Sequence, residues 1–190
     1  MAPKILAGAA ALLAAFVFAG QAHAAGGTYV FDGGVQKQQR EVKKALNASS
    51  FDWSLVPGAV TIHIGPVGTS YAMPGHVYLD GELLNAGRFA WGIVQHEYAH
   101  QVDFLLLDAG EKAQLAAALG SSAWCYENAA VRDHGAQGCE RFASTLAWSY
   151  WQTADNSMQP AGRDDEAGAM TPKAFKALLG SLLTPASATA

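Results

Sequence analysis

The sequence predicts an α+β domain in which strands are concentrated in the first half of the chain and helices in the second. Strand patterns occupy residues 28–31, 59–64 and 76–80, and helical patterns dominate from about residue 85 onward. Such segregation is typical of α+β folds. With 190 residues, 51% hydrophobic and 15% charged, the chain has the apolar content for one packed core. We therefore expect a single domain over residues 25–190.

The first 24 residues have the pattern of a secretory signal peptide. Met1–Lys4 is positively charged, Ile5–Ala19 is apolar, and Ala22-His23-Ala24 has the small-x-small form of a cleavage site. A membrane anchor is the alternative, but an apolar run of about fifteen residues falls short of the ~20 that span a bilayer. We expect cleavage after Ala24, no stable membrane insertion afterwards, and a secreted, periplasmic or cell-envelope protein.

The charge balance disfavours nucleic acid as a partner. The chain has 12 Lys and Arg residues against 16 Asp and Glu residues, and its formal net charge is −4. Binding to a phosphate backbone depends on a surplus of basic side chains, which is missing here.

The strand patterns are defined by alternation and by the turn residues that follow them. Residues 28–31 are β-branched and aromatic, and residues 59–64 alternate between apolar and polar side chains. Gly75–Asp80 contains the third strand, and we expect it to be the edge strand that pairs with an extended peptide. His63 and His76 are expected to be surface residues, with lining of a cleft as the alternative.

Helical patterns account for most of the remaining chain. A solvent-facing helix is predicted over residues 35–46, and a long one runs from a cap candidate at Asn85 to Leu107, with Gly110 just past its end. Three more are predicted over residues 111–119, over about 139–152, and from Thr171, with Thr171 as cap and Pro172 at the first position.

The long helix carries His96-Glu97-Tyr98-Ala99-His100, an HExxH motif. Residues four apart on a helix differ by about 40° in direction, so His96 and His100 share a face and can bind one metal ion. Glu97 flanks that position, where a carboxylate can take a proton from water on the metal. Paired imidazoles with a carboxylate and an open position are typical of catalytic zinc, so we expect Zn²⁺. The alternative is two surface histidines beside a solvated glutamate.

A third ligand is expected from a later part of the chain. Glu140 is the first candidate, because it opens a helix directly after Cys139. Asp133, His134 and Glu127 stay open as alternatives, because a long loop could fold back onto the site. A carboxylate at a helix N-terminus is also favourable without any metal.

Export places the two cysteines of the chain, Cys125 and Cys139, where disulfides persist, and we expect them to pair. Such a bridge closes a loop of about fifteen residues and stabilises the fold by roughly 3 kcal/mol. The alternatives are two free thiols or a metal pair. A bridge holds its Cα atoms about 5.5 Å apart, which brings Tyr126 beside Glu140.

Two further roles follow from position along the chain. Tyr126 and His134 are the candidates for stabilising an oxyanion, with ordinary loop packing as the alternative for Tyr126. Asp103 lies three residues after His100 on the same helical face, where it can orient a ligand imidazole. A solvated aspartate near a helix end is the alternative for Asp103.

These residues resemble the gluzincin metallopeptidases, in which a second helix supplies a glutamate ligand. His100-Gln101-Val102-Asp103 and Glu140-Arg141-Phe142-Ala143 are most similar to the anthrax lethal factor-like branch, over about Val77–Trp151. The resemblance implies a zincin fold, with a small mixed sheet whose edge strand lies above the active-site helix. It also implies peptide-bond hydrolysis, with His96, His100 and Glu140 as ligands and Glu97 as general base. The branch has a tyrosine shortly before the ligand glutamate, where this chain has Asp133 and His134.

The expected function is that of a secreted zinc-dependent endopeptidase with a polypeptide substrate. The alternative is a non-catalytic secreted zinc-binding or adhesion module on a zincin scaffold. Glu97 favours the peptidase, because metal binding alone needs only the two histidines and a third ligand.

Overall fold

The computed structural model describes residues 27–125 and 133–184 and has an α+β architecture. These residues contain one mixed sheet of four strands and five α-helices. This confirms the predicted class and the small mixed sheet, while the predicted signal peptide lies outside the described residues. The elements in chain order are β1 (Tyr29–Gly33), α1 (Gln36–Ala48), β2 (Val60–Gly65), β3 (Tyr71–Met73), β4 (His76–Asp80), α2 (Arg88–Leu106), α3 (Ala109–Ala118), α4 (Gly138–Tyr150) and α5 (Pro172–Leu183).

The strands lie in the order β1-β2-β4-β3. β1 and β4 both pair with β2 in parallel, and β3 pairs with β4 in antiparallel orientation. The expectation that Gly75–Asp80 forms the edge strand is therefore wrong, because β4 is an internal strand and β3 takes the edge. β3 went unpredicted because three residues are too short to show an alternating pattern.

Alternation along β2 and β4 divides the sheet into a buried and a solvent-facing side. Val60, Ile62, Val77 and Leu79 are at most 1% exposed and face the helices. Their neighbours along the strands, such as His63, point to the other side. The buried side chains each stabilise the fold by about 1.5–3 kcal/mol relative to exposure.

The start of α2 differs from the prediction. Asn85 lies in a 3-10 helix, Leu83–Ala86, and does not cap α2. Gly87 then turns the chain with a φ of 66°, in the left-handed region that glycine adopts without strain, and α2 begins at Arg88.

The end of α2 also differs. Asp108 caps α3, since its carboxylate accepts the backbone N–H of Glu111 at 2.8 Å. Gly110 consequently lies in the first turn of α3 and does not end α2. The predicted cap at Thr171 is confirmed: its hydroxyl accepts the N–H of Ala174 at 3.3 Å, and Pro172 opens α5.

The helix α2 is the central element of the fold and packs against α1, α4 and the sheet. Twelve of its residues are buried, among them both motif histidines. Tyr98 is held between the rings of Tyr29 and Trp53, with ring centroids 6.3 and 5.2 Å away. The helix α4 packs on α2, and Glu140 in the first turn of α4 contacts the HExxH histidines.

Cys125 and Cys139 form a disulfide, as the sequence predicts, with Cα atoms 5.4 Å apart. The bridge ties the first turn of α4 to the segment that follows α3. Among the described helices, none combines the length and the hydropathy that a membrane crossing requires.

Candidate metal centre

The two motif histidines lie side by side in the interior. His96 and His100 are 5% and 6% exposed, and their ring centroids are 5.0 Å apart. One helical turn separates them, so their imidazoles point from the same face of α2 toward α4. This is the pairing that the spacing of the motif predicts.

The carboxylate of Glu140, on the first turn of α4, meets both imidazoles. Its Oε2 lies 3.1 Å from Nε2 of His96 and 3.3 Å from Nε2 of His100. In a tetrahedral zinc centre with bonds of about 2.0 Å, neighbouring ligand atoms are about 3.3 Å apart. The donor set is therefore the right kind and has the right spacing to hold a zinc ion.

Hydrogen bonding fixes the tautomer of His96. Ser144 donates its hydroxyl hydrogen to Oε2 of Glu166 at 2.8 Å, and its oxygen lies 3.0 Å from Nδ1 of His96. Since a hydroxyl has one hydrogen, Ser144 accepts from His96, and the proton of the ring is on Nδ1. Nε2, which faces Glu140 at 3.1 Å, is thereby the ring nitrogen that can bind a metal, in exchange for the hydrogen that it donates to Glu140 without one.

The electrostatics favour an ionised Glu140. Burial acts to raise the pKa of its carboxyl, but hydrogen bonds from His100, His134 and His96 outweigh burial and hold the pKa well below its usual range. His100 shows the matching effect: burial acts to lower its pKa, and Glu140 nevertheless raises it. An anionic carboxylate is the form in which Glu140 can bind a cation.

Glu97 lies next to the converging donors and is 6% exposed. Burial raises the pKa of its carboxyl above the usual value, although the neighbouring His96 and His100 act in the opposite direction. A raised pKa makes the carboxylate a stronger base than a solvated glutamate, as general-base chemistry near neutral pH requires.

His134 stands at the mouth of the site. Its Nε2 is 3.1 Å from Oε2 of Glu140, and its Nδ1 is 2.8 Å from Oε1 of Glu166. Hydrogen bonds to these two carboxylates raise the pKa of His134 to about 10. The side chain is 63% exposed, so it faces both the buried donors and the solvent.

The other predicted residues fall in three places. Asp133 accepts the N–H of Gly135 at 3.1 Å, which caps a short 3-10 helix. Asp103 accepts from the indole of Trp124 at 2.9 Å and lies 3.1 Å from the ammonium of Lys112. Its carboxylate is also within 4.8 Å of a ring nitrogen of His100, so its predicted orienting role stays a prediction. Tyr126 and Glu127 lie outside the described residues.

A cavity of about 580 Å³ opens beside these donors. Its floor is the HExxH face of α2, and one wall is the edge strand β3 with the turns on either side of it. The lining residues include Tyr71, Ala72, Met73, Glu97, Phe104 and Glu140.

Three residues of this region were missed by the sequence analysis. Ser144 is four residues after Glu140 on α4, so helical periodicity could have indicated it. Gln101 follows the motif and binds the β3–β4 turn: it accepts from Gly75 N at 2.8 Å and donates to Met73 O at 3.0 Å. Glu166 comes from an irregular segment, and no pattern in the sequence points to it.

Comparisons of this chain with family models, with curated proteins and with solved structures give no match. Its function is therefore inferred from the geometry of the site.

Proposed function

We propose that this protein is an exported zinc-dependent peptidase with a zincin-like fold of the gluzincin type. One observation carries the proposal. Oε2 of Glu140 lies within 3.3 Å of Nε2 of both His96 and His100, and Glu97 is buried beside them. Two imidazoles and one carboxylate from two helices, with an open side toward a cavity, match the composition of catalytic zinc sites.

The residues divide the chemistry among them. A zinc ion held by His96, His100 and Glu140 supplies Lewis acidity that acidifies water and polarises a carbonyl group. Glu97 accepts a proton from the attacking water on its carboxylate and then delivers it to the leaving amine. The burial that raises the pKa of Glu97 supports both steps, because the group must gain and then lose the proton.

His134 is the candidate for stabilising the oxyanion. Glu166 accepts from its Nδ1, which holds Nε2 beside the donor cluster, 3.1 Å from Oε2 of Glu140. A protonated ring in this orientation has one N–H for Glu166 and a second that, once a cation takes Oε2 of Glu140, is available to the carbonyl oxygen of a substrate. Tyr126 remains the other candidate from the sequence.

A polypeptide is the substrate that fits the cavity. An extended peptide can pair with a strand edge, and β3 offers such an edge along the wall of the cavity. The disulfide supports an oxidising compartment, in agreement with export through the predicted signal peptide.

The test compares zinc content and peptide cleavage in four proteins: wild type, Glu97→Gln, Glu140→Ala and the control Glu82→Gln, which changes an exposed glutamate. Zinc is measured by elemental analysis, and cleavage is measured on a random peptide pool by mass spectrometry. We expect wild type and the control to bind zinc and cleave, Glu97→Gln to bind zinc without cleaving, and Glu140→Ala to lose zinc.

Two outcomes would contradict the proposal. Zinc binding without cleavage by any of the proteins would favour the non-catalytic binding module. Wild-type protein that binds no zinc would show that the donor set serves another purpose.

A further inference from the structure

A second pair of histidines lies on the solvent-facing side of the sheet. Nε2 of His63, on β2, is 3.1 Å from Nδ1 of His76, on β4. The neighbours Ile62 and Ile64 are 0% and 6% exposed on the opposite side of β2, so His63 points away from the core. Neither histidine lines the cavity beside the HExxH motif.

A carboxylate orients one ring of this pair. The parallel register places Asp32 of β1 beside His63, and Oδ2 of Asp32 lies 2.8 Å from Nδ1 of His63. An ionised carboxylate only accepts hydrogen bonds, so the proton of His63 is on Nδ1 and the lone pair of Nε2 faces His76. Metal-binding histidines in proteins commonly donate their other ring N–H to a carboxylate in this way.

Aromatic stacking holds the same ring in place. The ring of His63 stacks on Tyr78 with centroids 4.4 Å apart and an angle of 10° between the planes. Tyr78 stacks in turn on Tyr71 at 4.5 Å and 9°. Three strands therefore fix the orientation of the imidazole, which lowers the entropy lost when it binds a ligand.

We propose that His63 and His76 form a second metal site, which binds a late first-row divalent cation and binds Cu²⁺ most tightly. At bonds of about 2.0 Å, neighbouring ligand atoms are ~2.8 Å apart in a tetragonal centre and ~3.3 Å apart in a tetrahedral one. The two nitrogens, 3.1 Å apart, lie between these separations. The preference for Cu²⁺ follows from the general order of affinities among these ions for nitrogen ligands.

The binding step changes the tautomer of His76. Nδ1 of His76 carries the hydrogen of the bond between the two rings, because Nε2 of His63 carries a lone pair. When the cation binds Nδ1, His76 gives that hydrogen to water and takes one from water on its own Nε2, so the ring stays neutral and no proton is released overall. Water or an outside donor fills the remaining positions. The site goes beyond the proposed peptidase function and does not depend on it.

The experiment titrates CuSO₄ into the full chain after zinc has been added to saturate the HExxH site. The compared proteins are wild type, His76→Gln, the double variant His63→Gln/His76→Gln, Asp32→Asn, and Glu82→Gln as an exposed control outside both sites. Electron paramagnetic resonance reports the copper signal, and competition with a chelator gives its affinity. The double variant measures the background from other imidazoles and from the amino terminus.

We expect wild type and Glu82→Gln to hold one Cu²⁺ more than the double variant, with splitting from two imidazole nitrogens. His76→Gln should lose this signal, and Asp32→Asn should weaken the affinity by about 10-fold or more. His76 is exposed, so His76→Gln alone tests the proposal even if the double variant fails to fold. The same copper signal in wild type and His76→Gln would overturn the proposal, whatever the result of the peptidase assay.

Discussion

The hydroxyl of Ser144 lies 3.0 Å from Nδ1 of His96, the ring nitrogen that does not contact Glu140. Ser144 donates its hydroxyl hydrogen to Glu166, and the three groups form a chain from a carboxylate to the imidazole that we propose binds zinc. This chain of hydrogen bonds keeps a hydrogen on Nδ1 of His96.

Ser144→Ala should lower zinc affinity by about 10-fold to 100-fold, because the ring of His96 loses the acceptor that orients it. Affinity is measured by competition with a chromophoric chelator. Ser149→Ala is the matched control, since Ser149 is buried on the same helix and its hydroxyl has no hydrogen-bond partner in the described part of the chain. Equal affinities in wild type and Ser144→Ala would show that the tautomer is set by other means.

His134→Ala should lower kcat by about 100-fold with zinc content unchanged, because the oxyanion loses a hydrogen-bond donor. Glu166→Gln should cause a smaller loss, since it replaces the charged acceptor that directs the ring of His134 with a neutral amide oxygen. With zinc kept saturating, which removes the effect of Glu166 on zinc affinity through Ser144 and His96, the double variant should be no slower than His134→Ala alone, because Glu166 acts on the oxyanion through His134. The measurements are steady-state kinetics on a cleaved peptide from the pool. Additive losses would contradict this coupling, and an unchanged kcat in His134→Ala would assign the role to Tyr126.

The helix positions of the site were predictable from the sequence, and the tertiary partners were not. His96, Glu97 and His100 are fixed by local helical spacing, so the motif alone places them on α2. The position of Glu140 near the motif could also be predicted, because Glu140 begins a helix and follows a cysteine that forms a disulfide. Glu166 reaches the site from an irregular segment, whose course depends on long-range packing that leaves no periodic signal.

The edge of the sheet also could not be predicted from local sequence patterns. β4 has the alternation of a strand, but alternation does not report which strand lies at the edge. Strand order is set by the antiparallel return of the three-residue β3, which is too short to predict. Gln101, on α2, holds the β3–β4 turn in place by accepting the backbone N–H of Gly75. A glutamine after the motif does not indicate in the sequence where its side chain binds.

Gln101→Ala should raise KM and lower the free energy of unfolding by about 1–3 kcal/mol, because it leaves the backbone groups of the β3–β4 turn without partners. The turn supports the strand that lines the cavity, which is why substrate binding should weaken. Gln95→Ala is the matched control: Gln95 is buried on the same helix, but it donates to Ala45 O at 2.7 Å, on α1. Urea unfolding and steady-state kinetics check both variants.

A similar loss of stability is expected for Gln95→Ala, without a change in KM. If both variants raised KM equally, the effect would come from general loosening of α2 and not from the edge strand. If neither Gln101→Ala nor Gln95→Ala raised KM, β3 would not contribute to substrate binding.

Asp80→Asn should change the acid dependence of stability. The carboxylate of Asp80 accepts the backbone N–H groups of Leu83, Gly68 and Glu82 at 3.1, 2.9 and 2.9 Å. These bonds, led by the one from Leu83, hold the pKa of Asp80 below its usual 3.8. A carboxyl with a lowered folded-state pKa stabilises the fold fully above the unfolded value, and this contribution is lost as pH falls through the folded value.

Wild type should therefore be more stable than Asp80→Asn at pH 7, and the difference should shrink as pH falls below about 4. Urea unfolding from pH 7 down to pH 3 measures it, and taking the difference between the two proteins removes the titration of groups they share. Asp164→Asn, at an exposed aspartate, should follow the wild-type curve. A difference between wild type and Asp80→Asn that stayed constant over this range would mean that the hydrogen bonds, and not the charge, carry the stabilisation.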